Sequence, residues 1–410
     1  MLIESVNHFY PSYSVVKPLM KLPNCDSFVF LSVDPWQEER WARKQMFAYH
    51  LAQRGAKVVY FTESRQSLRK WPLIHRKHER LYLVDVPLIG PCRLHGRLAP
   101  PCEKAAELIL LAVLWKLRIR RATFLAYQPQ NVRLSLRIAR YIGKTLLCYD
   151  YTDDWSEFFR KNAHEKNRVL EDDKWALTAA DIVFAVSAKL FEKARQFNPN
   201  SYLLPNATSF ENFHKAMLPG PIAADIGGIG QPLIGYVGKI TTWRIDFDLL
   251  RYIAENRPNW SFVMIGPFNP DVHEMVAQFD DLANISFIGP REYWKLADYM
   301  RAFSACILPH KTDNLTEAMD PIKLYDYLAT GKPIVATAVR EADKFRGVIE
   351  VCDGQAAFLA ALDRVVNEPE ADVDRERRLS LARANSWEQR VDELITIMNK
   401  STCGANRTSG

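Results

Sequence analysis

Short apolar runs recur along the chain, each followed by a more polar stretch of helical period. Phe28–Val33 (FVFLSV) precedes DPWQEERWARKQ and a helix running to Gly55, and Lys57–Phe61 (KVVYF) is the next strand. Thr123–Tyr127 and Thr145–Tyr149 flank a helix at Val132–Ile142, and Asp181–Val186 and Tyr202–Leu204 extend the series. Continuous apolar strands alternating with helices predict a parallel sheet covered by helices. Met217–Pro232, rich in Gly and Pro and without helical period, reads as a linker. A second series follows, with strands at Leu233–Val237, Ser261–Ile265, Ile285–Ile288, Ala305–Leu308, Ile334–Ala336 and Val348–Val351. The expected class is α/β, with two doubly wound domains facing across a cleft at the carboxyl ends of their strands. The expected boundaries are an extension at 1–27, a first domain at 28–215, a linker at 216–232 and a second domain at 233–385. A last helix at 386–400 would return to the first domain, followed by a disordered tail at 401–410.

Composition narrows the class. The chain has 410 residues, 48% hydrophobic and 25% charged, which suits two soluble domains. No apolar run reaches the roughly 18 residues needed to span a bilayer. The first twenty residues carry an early acid and a proline, so they do not read as a secretory signal. Seven scattered cysteines without a CxxC suggest reduced thiols and a cytoplasmic setting; Cys92 and Cys102 are the one pair that could close a loop. Net charge is +6, yet residues 64–121 hold 13 Lys/Arg against 4 Asp/Glu, so the excess is regional. Trp71, Trp115 and the apolar segment Ala106–Arg121 lie in that region. A basic, Trp-bearing amphipathic surface suits peripheral docking on an anionic membrane face; the competing reading is a core helix with a solvated basic end. Nucleic-acid binding would need a recognition motif as well, and none is present.

The candidate chemistry falls at strand ends. In DPIKLYDYLATGKPIVAT (Asp320–Thr337), Asp320 can cap a helix, Pro321 suits its first turn and Gly331 ends it. Lys323 and Asp326 share a helix face near the positive end of the dipole, where an anion and sugar hydroxyls could be held; an ordinary surface Lys–Asp pair is the alternative. In GYVGKITTWRIDFD, Gly238 permits close backbone approach, while Lys239 and Arg244 offer cationic contacts to phosphate. Asp246 and Asp248 spell DxD but open a helix, where acids are common. In CYDYTDDWSEFF, Asp154 with Glu157 fits a cap, which leaves Asp153 as candidate base and Asp150 as a weaker one. Arg291 and Glu292 sit in the IGPREY turn, and His310 and Asn314 precede the Asp320 motif. No HExxH occurs, and no metal site is expected.

Taken together these motifs resemble the GT-B glycosyltransferases, with two Rossmann-like domains. The closest likeness is to glycosyltransferase family 4 and envelope-polysaccharide transferases of the teichuronic-acid type. It covers roughly Phe28–Met398 and rests on DPWQEERWARKQ, YDYTDDW, ADIVFAVS, LPNATSFENF, IGYVGKITTW, ISFIGPREYWKLADY and, most specifically, the Asp320 motif. The resemblance implies a cytoplasmic, membrane-associated hexosyltransferase that needs no metal. It would take a nucleotide sugar, usually UDP-linked, and a lipid-linked or polysaccharide acceptor at the inner face of the plasma membrane. Lys323 and Arg244 would contact the donor diphosphate, with Gly238, Lys239, His310, Asp320 and Leu324 around it. Asp326 takes the place of a ribose-binding glutamate, and the Arg291–Glu292 turn would hold the base. Trp36, Gln37, Arg40 and Arg43 would face the acceptor. Xanthan-type glucuronosyltransferases share this order of elements and use an aspartate like Asp153 as base. Family 4 has two glutamates eight positions apart; here the pair is Ala318 and Asp326. Family 4 retains configuration whereas a base at Asp153 would invert it, so both courses stay open. Two other readings stand beside transfer: a non-catalytic glycan-assembly protein of the same fold, and a sugar-nucleotide epimerase.

Overall fold

A computed structural model describes residues 3–5, 27–32, 36, 41–63, 74–86, 99–159, 162–268 and 272–405. The chain forms two compact units. The first comprises residues 1–37, 42–205 and 390–410; the second comprises residues 38–41 and 206–389.

Among the described residues the first unit holds β1 (Ile3–Ser5), β2 (Ser27–Leu31), β3 (Lys57–Glu63), β4 (Ile74–His78), β5 (Leu81–Val86), β6 (Arg121–Ala126), β7 (Gly143–Tyr151), β8 (Ile182–Ala185) and β9 (Ser201–Leu203). They form one sheet in the order β1-β4-β5-β3-β2-β6-β7-β8-β9. Only the β4–β5 hairpin is antiparallel among these pairings. Phe28, Phe30, Tyr60, Phe61, Phe124, Tyr149 and Tyr151 fill its core. The strands are apolar on both faces, as parallel strands buried under helices must be. The hairpin falls inside the basic region and is absent from the expected elements. IHRKH carries its charges on exposed and half-exposed positions, which hides a strand whose Ile74 is fully buried.

The second unit holds β10 (Leu233–Val237), β11 (Ser261–Ile265), β12 (Ile285–Gly289), β13 (Ala305–Leu308), β14 (Ile334–Thr337) and β15 (Glu350–Cys352). All pairings are parallel, in the order β12-β11-β10-β13-β14-β15. Counted from β10 this is the doubly wound order 3-2-1-4-5-6, which reverses between β10 and β13. Ligands of such sheets bind at the carboxyl ends beside that reversal. The first unit repeats the same order over β5-β3-β2-β6-β7-β8.

The unit boundary at 205/206 lies ten residues before the expected linker. Residues from Asn206 onward are tied to the second unit by hydrogen bonds: Asn206 to Asp320, Thr208 to Asp326, and Arg291 to Asp225. The last helix, Trp387–Ala405, continues beyond the expected end at Lys400; residues 401–405 are helical, not a loose tail, and 406–410 fall outside the described residues. No helix among the described residues is long and apolar enough to cross a membrane.

Candidate functional site

The Asp320 motif folds as a helix, Ile322–Ala329, between the loop after β13 and the start of β14. Its N-cap is Pro321, with no side-chain cap, so Asp320 does not cap it. The Asp320 carboxylate is instead buried. It accepts from the Asn206 N–H at 2.6 Å, the Tyr325 hydroxyl at 2.9 Å and the Lys344 ammonium at 2.7 Å. Those contacts hold the entry to the helix in place and make Asp320 a positioning group. Gly331 ends the helix at φ 65°, the left-handed conformation that glycine adopts at least cost.

One turn into the helix, Tyr327 fixes it to the sheet. Its hydroxyl accepts from the Val237 N–H at 2.8 Å and donates to the Val237 carbonyl at 3.3 Å, at the carboxyl end of β10. Lys323, one turn earlier, therefore lies against the strand end. Its ammonium stands 5.4 Å from the centre of the Tyr236 ring. Its stem crosses Gly238 so closely that a Cβ there would stand 1.8 Å from Lys323 Cε. Gly238 also has φ 152°, so this position needs glycine on two counts.

Cationic and neutral polar groups converge on this point. The Arg244 guanidinium lies 4.7 Å over the Trp243 ring, and its Nη2 is 3.8 Å from Met319 Sδ. His310, just past β13, packs its ring 6.3 Å from Tyr236. Burial, with the positive charges of Lys323 and Arg244, holds His310 well below the usual imidazole range, so it is neutral at pH 7. Its Nε2 is buried and has no hydrogen-bond partner among the described residues. A buried polar nitrogen left without a partner is costly, and a bound hydroxyl or phosphate oxygen would satisfy it.

Asp326 shares the Lys323 face, as the spacing predicts. Its Oδ1 accepts from the Thr208 hydroxyl at 2.7 Å. Burial pushes its carboxyl up to about 8, against the Thr208 hydrogen bond and the Lys323 charge, which both lower it. A buried acid raised in the folded state holds a proton that the unfolded chain releases. Stability from this group is therefore fully present below the ordinary carboxylate range and falls as pH rises toward about 8. The slope is roughly 1.4 kcal/mol per pH unit at most. Asp326→Asn is expected to remove this component, so thermal melts from pH 5 to pH 8 should fall less steeply for the variant. Equal slopes for the two proteins would contradict a protonated Asp326.

The remaining donor-side positions divide. The Leu324 side chain is fully buried and its N–H donates to the Pro321 carbonyl. The Lys239 carbonyl accepts from Tyr236. Arg291 is a brace: it donates to Asp225, the Tyr299 hydroxyl and the Ile288 and Pro290 carbonyls, which fixes the turn after β12. Glu292 pairs with Lys295 at 2.8 Å on the surface. Trp41 packs with Tyr293 and Trp294 beside this turn. Asp246 caps the helix Phe247–Asn256 through the Leu249 N–H, and Asp248 is an exposed first-turn acid, so the DxD has a local structural role. Among the described residues no group of three or more His, Cys, Asp or Glu could hold a metal ion.

In the first unit, β7 extends two residues past its expected end and places Asp150 inside the strand. Asp150 is fully buried and accepts from Arg43 Nε and Nη2 at 2.9–3.0 Å, while Arg43 Nη1 donates to the Pro205 carbonyl. Arg43 is thus committed to a buried ion pair, as a buried guanidinium must be. Asp154 accepts from the Ser156 N–H and hydroxyl and from Lys193, which also reaches buried Asp173 at 3.0 Å. Burial raises the Asp154 carboxyl, but Lys193 and Ser156 outweigh it and bring it below its ordinary value. Asp153 is half-buried two residues beyond the end of β7 and accepts from the Thr152 hydroxyl at 3.1 Å. Trp36 sets its ring edge-on to Tyr60 at 5.1 Å; Gln37 and Arg40 lie outside the described residues. Sequence reading missed Asn206, Thr208, Tyr327 and Lys344, whose partners are distant in the chain; no local signal marks them.

Two parallel α/β units, the second carrying a lysine and an arginine at its switch point, define the GT-B class of fold. Residues 231–368 match the family model of glycosyl transferases group 1. The chain is 26% identical over 257 residues to a Bacillus subtilis (strain 168) protein named as a teichuronic acid biosynthesis glycosyltransferase, TuaH. That match covers 59% of this chain and 64% of the relative's length. Among solved structures, sucrose-phosphate synthase from Thermosynechococcus elongatus superposes with a TM-score of 0.69 at 16% identity, over 92% of this chain and 99% of that one. The α,α-trehalose 6-phosphate synthase from Burkholderia multivorans gives 0.67 at 12% identity, over 92% and 99%. A trehalose-6-phosphate protein from E. coli bound with UDP-2-fluoro glucose gives 0.65 at 11% identity, over 91% and 99%. The group 1 match falls within the second unit, and the chain shares the GT-B fold of these solved structures.

Proposed function

We propose that the protein is a glycosyltransferase. It moves a hexose-type sugar from a UDP-linked donor to a lipid-linked or polysaccharide acceptor in cell-envelope or exopolysaccharide synthesis, at the cytoplasmic face of the plasma membrane. The observation that carries this reading is Lys323 lying across Gly238 at the switch point, with Arg244 and neutral His310 beside it. The group 1 match, the envelope-polysaccharide relative and the UDP-sugar in a structure of the same fold support it.

In this reading the bond between the sugar's anomeric carbon and the diphosphate oxygen breaks, and its electron pair leaves with UDP. Lys323, Arg244 and the positive end of the Ile322–Ala329 helix offset the charge of the departing diphosphate. No metal is required for that step. In the inverting course, one of the two that stay open, the acceptor oxygen attacks the face opposite the diphosphate, forms the new bond and gives its proton to Asp153. Asp153, half-buried just past the end of β7, is the carboxylate assigned as base; its neighbours Asp150 and Asp154 are held by Arg43 and Lys193.

A thermal-shift screen of nucleotide sugars on the purified chain tests the donor. A UDP-sugar is expected to raise the melting temperature by mass action. Asp153→Asn should keep that shift while transfer falls by about a hundredfold or more. A flat response to every nucleotide sugar would defeat the reading, and wild-type turnover in the variant would remove Asp153 as base. Ala318, fully buried where the family has a glutamate, favours a second reading: a chain that binds donor without turning it over. Donor binding with no product across acceptors would support that case.

A further inference from the structure

The first unit carries a feature that sugar transfer does not use. The helix Ala99–Lys116 buries Ala106, Leu110, Val113 and Leu114, yet its opposite face is also apolar. Leu108 is 56% exposed and Trp115 is 84% exposed, seven residues apart, with Ala112 exposed and Leu111 half-buried between them. That spacing puts them in one stripe along the helix. Tyr141, 62% exposed, extends the stripe sideways: the Lys104 ammonium stands 5.8 Å from its ring centre.

Cations frame the stripe. Lys104, Lys116, Arg118, Arg120, Arg121 and Arg140 are all exposed. Arg118 adopts φ 55° and ends the helix, its N–H donating to the Trp115 carbonyl. The chain then enters β6, where the Arg120 carbonyl accepts from the Gly143 N–H and Arg121 pairs in register with Gly143. This places Arg120 and Arg121 beside Arg140 and Tyr141. The one acid of the helix whose side chain is described, Glu107, is buried against Lys104 and Arg137 and does not offset the patch.

We propose that this face docks on an anionic phospholipid surface. Charge complementarity selects that occupant, since six exposed cations in the segments that carry the exposed indole and phenol rings match anionic headgroups over an acyl boundary. The patch sits at the amino ends of β6 and β7. β7 is about 26 Å long at roughly 3.3 Å per residue and Asp153 lies past its other end, so docking leaves that strand end open. The proposal extends the reading of a lipid-linked acceptor but needs no donor or turnover.

Co-sedimentation of the full chain with vesicles tests it, with phosphatidylcholine alone set against mixtures containing phosphatidylglycerol. Binding should favour the anionic vesicles by about tenfold or more and weaken as salt is raised. Trp115→Ser should weaken binding about tenfold, and the pair Arg118→Glu and Arg120→Glu should abolish it, each with an unchanged melting temperature because these side chains are exposed. No binding to anionic vesicles, or equal binding by all variants, would overturn the proposal. So would Trp115-dependent self-association without vesicle binding, which would make the face a protein interface. Vesicle binding and the nucleotide-sugar shift are separate readouts, so either reading can fail alone.

Discussion

Replacing Lys323 with alanine is expected to weaken nucleotide-sugar binding by about two orders of magnitude, ~3 kcal/mol, while leaving the unliganded melting temperature within a degree or two. The charge is set against a strand end and a ring face, and buried Asp326 keeps its Thr208 hydrogen bond without it. Asp326 even becomes easier to keep neutral, because Lys323 is one of the influences lowering its pKa. Gly238→Ala should reproduce much of the defect without touching the lysine. A Cβ at Gly238 would stand 1.8 Å from Lys323 Cε and 2.4 Å from Nζ, and the side chain must swing away. The stem can move, but φ 152° strains any Cβ at this position, so Gly238→Ala should misplace the charge and also lower the melting temperature, unlike Lys323→Ala. Calorimetry with UDP and with a UDP-sugar measures both variants. Wild-type affinity in Lys323→Ala would remove this lysine from the donor site.

Much of the second unit was legible because its strands are bounded by punctuation. β10, β11 and β13 fall where expected, each a largely apolar run between turn-formers or helix ends. The Lys323 helix was legible for the same reason, with Pro at its start and Gly–Lys–Pro at its end. What could not be read was the choice of partner. Asp320 looked like a cap because capping needs only local sequence; its actual partners are Asn206, 114 residues away, and Lys344, 24 residues away. Arg291 looked like a ligand contact because a turn arginine is usually solvated, whereas Asp225 and Tyr299 hold it. Charge and position are written in the local sequence, but which charge meets which is decided by the tertiary fold.

Arg43 and Asp150 carry that argument to its largest expected effect on stability. Arg43 stands in DPWQEERWARKQ, a stretch that resembles the acceptor-facing segment of related transferases. An acceptor contact, once removed, would raise KM for acceptor and leave the fold alone. The structure instead pairs Arg43 with Asp150 at side-chain exposures of 4% and 0%. Removing one partner of such a pair strands the other charge away from water, at a cost of about 3–5 kcal/mol. Arg43→Ala is therefore expected to lower the melting temperature of the first unit by about 10 °C or more. The double replacement Arg43→Met with Asp150→Leu removes both charges at similar volume and should recover most of that loss. The Pro205 carbonyl would still lose its donor, so recovery should stop short of wild type. Differential scanning calorimetry of the three variants decides the matter. A wild-type melting temperature in Arg43→Ala, with a raised acceptor KM, would return Arg43 to the acceptor side.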